Sequence, residues 1–351
     1  MATVTVFVPT WNRPDMIAAS IDSALAQTFE DFVVLVGDNG GSPLTEGIVR
    51  GYDDPRVRYI RHERNLGGMG NWLELIRLAE TPLVASLHDD DTWEPTFLEK
   101  AVPPLVDDPS LSIAFTDYWC VDDVGDLLVE HTDWLSSHSG RDRLPAGPVD
   151  GSYADRLRVV AVWGSPQPAY AAVLRRQAVI DTVFPTEVDP VYDLWLTYQV
   201  MRRGEGLYYV PERLTNYRVW NGSLTAAGYG EAVDAILGHV VAENLDAGPV
   251  LDEIERAWAL DRYRRGWRSL DDPAARAYSQ AELRRSAPGL SGMRWLLAEA
   301  AARSDIGWHA VRLARSGVRS LREQFRSGQL DSSRLPQTHM EPSDDAKRLR
   351  A

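Results

Sequence analysis

The chain of 351 residues contains a single cysteine, Cys120. A lone thiol closes no intrachain disulfide and builds no cysteine-clustered zinc site, which fits a reducing compartment, and Cys120 reads as a small core residue. No run of 18 or more uncharged apolar residues occurs, so no segment has the pattern of a membrane-spanning helix. The opening MATVTVFVPTWNRPD lacks the basic stretch and small-residue cleavage site of a secretory signal. The expected location is therefore cytoplasmic, with the inner membrane face as a peripheral site. Positive charge is scarce as well: a net charge of −14 leaves no basic footprint for a phosphate backbone and argues against nucleic-acid binding.

That scarcity is uneven. Residues 251 to 351 hold 19 of the 37 Lys and Arg and 14 of the 51 Asp and Glu, so this region is +5 and the first 250 residues are −19. A basic helical C-terminal region suits an anionic acceptor or a membrane surface, and its helices could equally form a homodimer interface or cap the catalytic domain. The plain alternative is a solvated, Arg-rich helix face.

What is present is 44% apolar, enough for a substantial core. The first hundred residues alternate short β-branched runs with helical patterns, the signature of a mostly parallel α/β sheet with crossover helices. Strands are expected at Val4 to Val8, Phe32 to Val36, Val57 to Ile60 and Leu83 to Leu87. Pro14 suits a first helical turn, with Ile17, Ile21, Ala24 and Leu25 on one face, and Asn71 to Glu80 reads as a second helix. Gly40-Gly41-Ser42 breaks the chain. Further on, strands are expected at Ser112 to Thr116 and Leu207 to Val210, and a helix at Val191 to Arg203. After Gly230 the pattern turns helical, with Ala232 to Leu245, Val250 to Ser269 and Ser291 to Phe325 as the main segments. The expected organisation is one α/β domain over 1–230, divided into halves 1–110 and 111–230, then an α-helical region over 231–330. Residues 331–351, rich in Ser, Pro, Asp and Arg, read as a disordered tail. Trp258, Trp267, Trp295 and Trp308 lie among apolar residues and read as core.

The loops after Val8, Val36 and Leu87 fall at the carboxyl ends of their strands, where open α/β sheets bind ligands. His88-Asp89-Asp90-Asp91 places three carboxylates side by side, and these repel one another unless a cation or solvent offsets the charge. A divalent metal, Mg²⁺ or Mn²⁺, is one solution, because it takes one or two carboxylates plus phosphate oxygens. The other is an acidic N-terminus for a helix over Thr92 to Leu105. Pro9-Thr10-Trp11-Asn12-Arg13 and Asp38-Asn39-Gly40-Gly41-Ser42 end neighbouring strands. An aromatic face from Trp11 and the Asp38 carboxylate can therefore converge on a base, the carboxylate accepting from uracil, thymine or guanine but not from cytosine. Trp11 as a surface anchor and Asp38 as a turn residue are the alternatives. Asn65-Leu66-Gly67-Gly68-Met69-Gly70-Asn71 is a glycine-rich helix entry, either a donor contact through backbone N–H groups or a plain loop. Asp193 opens the Val191 helix, where it serves either as a base toward an acceptor or as a helix-end charge.

Taken together, Val6-Phe7-Val8-Pro9-Thr10-Trp11-Asn12-Arg13, Gln27-Thr28-Phe29-Glu30-Asp31-Phe32, Val36-Gly37-Asp38-Asn39-Gly40, Asn65-Leu66-Gly67, Asp89-Asp90-Asp91 and Asp193-Leu194-Trp195-Leu196 resemble the family 2 glycosyltransferases of the GT-A fold, over about residues 3 to 225. Tyr208-Tyr209-Val210-Pro211-Glu212 followed by Asn216-Tyr217-Arg218 adds to the likeness. The resemblance implies a Rossmann-like mixed sheet flanked by helices, with an α-helical C-terminal extension. It implies an inverting hexosyl transfer from a UDP- or dTDP-sugar to an acceptor hydroxyl on a glycan, a glycolipid or a small molecule. In its terms Pro9, Thr10, Trp11, Arg13, Asp38, Asn65 and Asp89 hold the nucleotide, Asp90 and Asp91 the Mn²⁺ or Mg²⁺, and Asp193 is the base, with Asp189 in reserve. Two departures stand out: Pro190-Val191 replaces a common Glu-Asp, and Trp220 replaces a frequent His. High Ala, Arg and Gly usage is associated with GC-rich bacteria, where such enzymes decorate envelope glycans, glycolipids or natural products. A sugar-1-phosphate nucleotidylyltransferase is the rival enzyme class, but the residues after the first strand are not its glycine-rich Arg and Lys signature. A non-catalytic nucleotide-sugar-binding protein is the second rival.

Overall fold

Val4, Val6 and Val8 alternate with Thr5 and Phe7, and β-branched residues at this spacing favour an extended chain that sends side chains to both faces of a sheet. In the computed structural model, which describes residues 2–162, 168–220, 230–268, 270, 276–304, 307–313 and 315, they form β1 (Val4–Thr10). On one side β1 pairs in parallel with β2 (Phe32–Asp38), which pairs with β3 (Val57–Arg61). On the other side it pairs in parallel with β4 (Leu83–Ser86). Beyond β4 the sheet is mixed. Strand β8 (Ala172–Arg175) runs antiparallel to both β4 and β6 (Leu111–Val121), and β6 runs parallel to β9 (Gly206–Arg218). The short β5 (Thr92–Trp93) and β7 (Gly147–Pro148) both pair antiparallel with β9.

The alternation in β1 sorts the core into two layers. Val4, Val6 and Val8 join Val34, Val36, Ile17, Ile21 and Ala24 on one face of the sheet. Phe7 and Leu35 join Trp72, Leu75 and Ile76 on the other. The helices that supply these layers are α1 (Pro14–Leu25), α2 (Pro43–Arg50), α3 (Gly68–Leu78), α4 (Phe97–Asp107), α6 (Tyr153–Leu157), α7 (Arg176–Ile180) and α8 (Tyr192–Arg202), while α5 (Val129–His138) packs Leu135 on a separate cluster around Tyr118 and Cys120. Pro14 stands in the first turn of α1, where its missing N–H costs nothing.

Three elements depart from the expectation. The break at Gly40-Gly41-Ser42 leads straight into α2, with the Ser42 hydroxyl accepting the Leu44 N–H as its cap. Helix α3 begins at Gly68 instead of Asn71, because Gly67 at φ +79° makes the sharp entry. Residues 92 to 96 are not helical: Thr92 and Trp93 are drawn into the sheet by Asn216 and Thr215, and α4 starts only at Phe97. The three aspartates therefore do not open a helix, and the helix-end reading of the cluster falls.

The chain divides into two compact units, 1–258 and 259–351, and position 230 lies inside the first. Helix α9 (Gly230–Glu243) sends Ile236, Leu237 and Val240 into the layer that holds Trp195 and Tyr198, and Tyr198 donates to Glu243 at 2.7 Å. Helix α10 (Pro249–Arg268) follows. In the second unit, α11 (Arg276–Ser286) and α12 (Gly292–Arg303) pack Leu283, Ala298, Ala301 and Ala302 around the buried Trp308. The long helix expected from Ser291 stops at Arg303, where Ser304 is extended, and resumes at Gly307; its end and the tail lie outside the described residues. Trp295 is not core but 41% exposed, beside exposed Met293 and Leu296. Among the described residues no helix is long and apolar enough to cross a membrane.

Candidate active site

Parallel strands deliver their carboxyl ends to one edge, so the loops leaving β1, β2 and β4 meet there. The exit of β4 is held beside β1 by the Leu87 N–H on the Phe7 carbonyl, at 3.0 Å. Arg13 reaches across this edge, donating from Nη1 to Asp89 Oδ1 at 2.7 Å and to Asp90 Oδ2 at 2.8 Å. The Trp220 indole N–H donates to the same Asp90 oxygen at 2.9 Å, and the Arg13 guanidinium lies 5.1 Å from the centre of the Trp220 ring. The departure from His at position 220 therefore still leaves a donor on the cluster.

Asp91 is held differently. Its Oδ1 accepts the Arg218 backbone N–H at 2.8 Å, and its carbonyl accepts the Ser20 hydroxyl at 2.8 Å. Its buried Oδ2 makes no hydrogen bond among the described residues and lies 3.7 Å from His88 Nδ1. His88, Asp90 and Asp91 each offer a ligand atom, all within 4.8 Å of one another. Burial lowers the pKa of His88, which favours the neutral ring that ligates. Burial also raises Asp91 well above the carboxylate range, with the Asp90 charge adding to it. Asp89 is pushed up to about 6 by burial, against the opposing pull of Arg13. An orphaned buried carboxylate oxygen beside a neutral imidazole is a donor set that fits a hard-to-borderline divalent ion. His88 was absent from the candidates read off the sequence, although its place beside three aspartates was the available signal.

At the end of β2, Asp38 is fully buried. Its Oδ1 accepts the Gly41 N–H and its Oδ2 the Tyr59 hydroxyl, each at 2.7 Å. A Cβ on Gly41 would fall 2.8 Å from Asp38 Oδ1 and 2.9 Å from the Asn12 nitrogen, so the close approach of the two loops needs glycine there. Pro9 lies within β1. Thr10 is buried, its hydroxyl without a hydrogen-bond partner among the described residues, while Trp11 stands 53% exposed at the rim. Asn65 Oδ1 accepts from Asn39 Nδ2 at 2.9 Å and from the Gly67 N–H at 2.8 Å, and Asn39 Oδ1 accepts the Leu66 N–H at 2.7 Å. Asn39, which sequence reasoning passed over, thus ties the loop after β2 to the entry of α3.

The later carboxylates reach the same neighbourhood through the chain before β8. Asp193 accepts the Leu194 N–H at Oδ1, 2.9 Å, and the Ala169 N–H at Oδ2, 3.3 Å. Burial pushes its pKa up to about 6. The next residue, Tyr170, sets its ring at 65° to His88, 5.7 Å between centres, and stacks on Tyr217 at 4.6 Å. Two consecutive residues therefore join the Asp193 carboxylate to the acidic loop. Asp189 lies beside Gly67 at the entry of α3, and burial raises its pKa. Beneath lies a second polar pair: Arg141 Nε donates to Asp117 at 2.8 Å with its side chain almost wholly buried, and its guanidinium rests 4.0 Å from the Tyr118 ring centre.

Fold and site together define a GT-A domain with an acidic loop fitted to a metal. Residues 5–154 match the family described as Glycosyl transferase family 2. Its fold is similar to that of S. aureus TarS 1–349 in complex with UDP-GlcNAc, with a TM-score of 0.60 at 16% identity over 93% of this chain and 92% of that one. It is also similar to the mannosyltransferase PcManGT from Pyrobaculum calidifontis in complex with GDP-Man and Mn²⁺, with a TM-score of 0.55 at 18% identity over 93% of this chain and 82% of that one. In sequence it is 23% identical to the Escherichia coli UDP-Glc:alpha-D-GlcNAc-diphosphoundecaprenol beta-1,3-glucosyltransferase WfaP, over 66% of this chain and 84% of that protein. Against the first four curated relatives it matches, the chain spans 45% or less of their length.

Proposed function

We propose that this chain is an inverting glycosyltransferase that moves a sugar from a UDP- or dTDP-sugar to an acceptor hydroxyl in bacterial envelope-glycan, glycolipid or natural-product glycosylation. The observation that carries the reading is the join between the acidic loop and Asp193 through Ala169 and Tyr170. His88, Asp90 and Asp91 are the residues that would hold Mn²⁺ or Mg²⁺, and the ion, when bound, supplies Lewis-acid stabilisation of the departing diphosphate. Trp11 and Asp38 take the base and Asp89 the ribose, with Asn65 and Arg13 on the donor side. Because Asp38 is enclosed by Gly41 and Tyr59, its use by a base requires the Tyr59 hydroxyl to turn aside. Asp193 accepts the acceptor hydroxyl proton as that oxygen displaces the nucleotide in line; a carboxylate poised near pH 6 is suited to the task. Asp189, beside the entry of α3, is the weaker candidate.

In this reading residues 1–230 carry the transfer, split at about 110 into donor and acceptor halves, and the C-terminal helices serve a peripheral role at the cytoplasmic membrane face. WfaP, named for transfer to alpha-D-GlcNAc-diphosphoundecaprenol, supports a lipid-linked acceptor, and the complexes of the two solved neighbours support a nucleotide sugar and Mn²⁺. A thermal-shift panel of UDP-, dTDP-, GDP- and CMP-sugars with and without Mn²⁺ tests the donor side. UDP- or dTDP-sugars with Mn²⁺ should stabilise most. Preference for CMP-sugars, or indifference to metal, would sink the assignment of Asp38 and of the acidic loop.

A further inference from the structure

Arg13 occupies the carboxylates that a metal would need. Its Nη1 holds Asp89 and Asp90 at once, and Asp90 Oδ2 is further engaged by Trp220. An ion taking that oxygen must displace a donor and settle close to a guanidinium that lies over the Trp220 ring. Like charges at such range oppose one another more strongly away from water than in it, and the Arg13 side chain is only 20% exposed. A guanidinium also has a second natural partner here, since its planar fork matches phosphate oxygens as well as carboxylates.

We infer that Arg13 is a built-in competitor of the metal, released from Asp90 by a pyrophosphate group, so that tight metal binding waits for the nucleoside diphosphate. The consequence is a coupling with a definite sign: the diphosphate tightens the metal by removing a positive charge from its site as well as by offering oxygens, and the metal tightens the diphosphate by the same factor. Arg13 thus acts as a positioning residue for the donor side. The inference rests on the metal and nucleotide site proposed above.

The test is Mn²⁺ binding to the full chain, read from the electron paramagnetic resonance signal of free Mn²⁺ with and without UDP. In R13Q, Mn²⁺ alone should bind about tenfold tighter than in the unaltered protein, within the range of roughly 5- to 150-fold typical of site couplings, and the further gain from UDP should shrink. R13K keeps the charge and should restore weak binding of the ion alone. W220F removes the other donor to Asp90 and should shift Mn²⁺ binding the same way by less, which keeps the test open should R13Q fail to fold by circular dichroism. If neither variant binds Mn²⁺ more tightly than the unaltered chain, while that chain binds both Mn²⁺ and UDP, the competitor role is overturned and the site reading stands. If the unaltered chain binds neither, both fall together.

Discussion

Ala169 donates its backbone N–H to Asp193 Oδ2 at 3.3 Å. The bond fixes the carboxylate beside the residue whose neighbour touches His88, and burial holds the acid near pH 6. Asp193→Asn keeps the shape and removes the base. Transfer should fall by roughly 10²- to 10⁴-fold while UDP binding, measured calorimetrically, stays within about twofold. In the unaltered enzyme the rate should rise with pH through about 6, as the carboxylate ionises. Intact transfer by Asp193→Asn would remove Asp193 from the chemistry.

The same group makes a stability prediction with a fixed sign. Its folded-state pKa lies above the ordinary 3.8, so the folded protein binds that proton more tightly than the unfolded chain. The stabilisation from this proton is complete below about pH 4 and is lost as pH rises through about 6. Asp193→Asn has no such loss. Its stability relative to the unaltered chain, from urea unfolding, should therefore be higher at pH 8 than at pH 4; the opposite order would contradict burial as the cause of the shift.

The Asp117–Arg141 pair lies where the pairing of β6 with β9 shifts register on both sides of Asp117. Asp117→Asn leaves a buried guanidinium without its counter-charge, and such half-deletions cost about 3–5 kcal/mol. Urea midpoints should fall accordingly with little change in slope. Arg213, whose Nε is 3.5 Å from the other Asp117 oxygen, loses the same partner, so a loss under about 1 kcal/mol would mean that the Asp117 charge is not what holds the Arg141 guanidinium in place.

Met293, Trp295 and Leu296 are exposed together at the start of α12, within a unit (259–351) that has 18 Lys and Arg against 11 Asp and Glu. An indole flanked by aliphatic side chains in a basic region suits an anionic bilayer surface. The full chain should co-sediment with vesicles containing phosphatidylglycerol, less at high salt and less after M293S, W295S and L296S are combined. Binding that ignores the triple change would refute this contact, and a concentration-dependent dimer lost in the triple variant would assign the face to a second copy instead.

The sequence by itself determined the framework of the parallel strands and the loops at their carboxyl ends, because its signals are local. Alternation in Val4 to Val8 and Phe32 to Val36, the proline at Pro14 and the aspartates after Leu87 each act within one strand, turn or loop, and parallel strands necessarily bring such loops to one edge. What it left open were choices that depend on partners far along the chain. Thr92 and Trp93 are a strand only because β9 offers them an edge. Trp220 bonds a carboxylate 130 residues away, and no local pattern announces it. The enclosure of Asp38 by Tyr59, the joining of Asn39 to Asn65, and the elevation of Asp193 by burial are likewise products of packing. Charge and hydrogen-bond partners are set by which surfaces lose water together, and only the tertiary structure decides that.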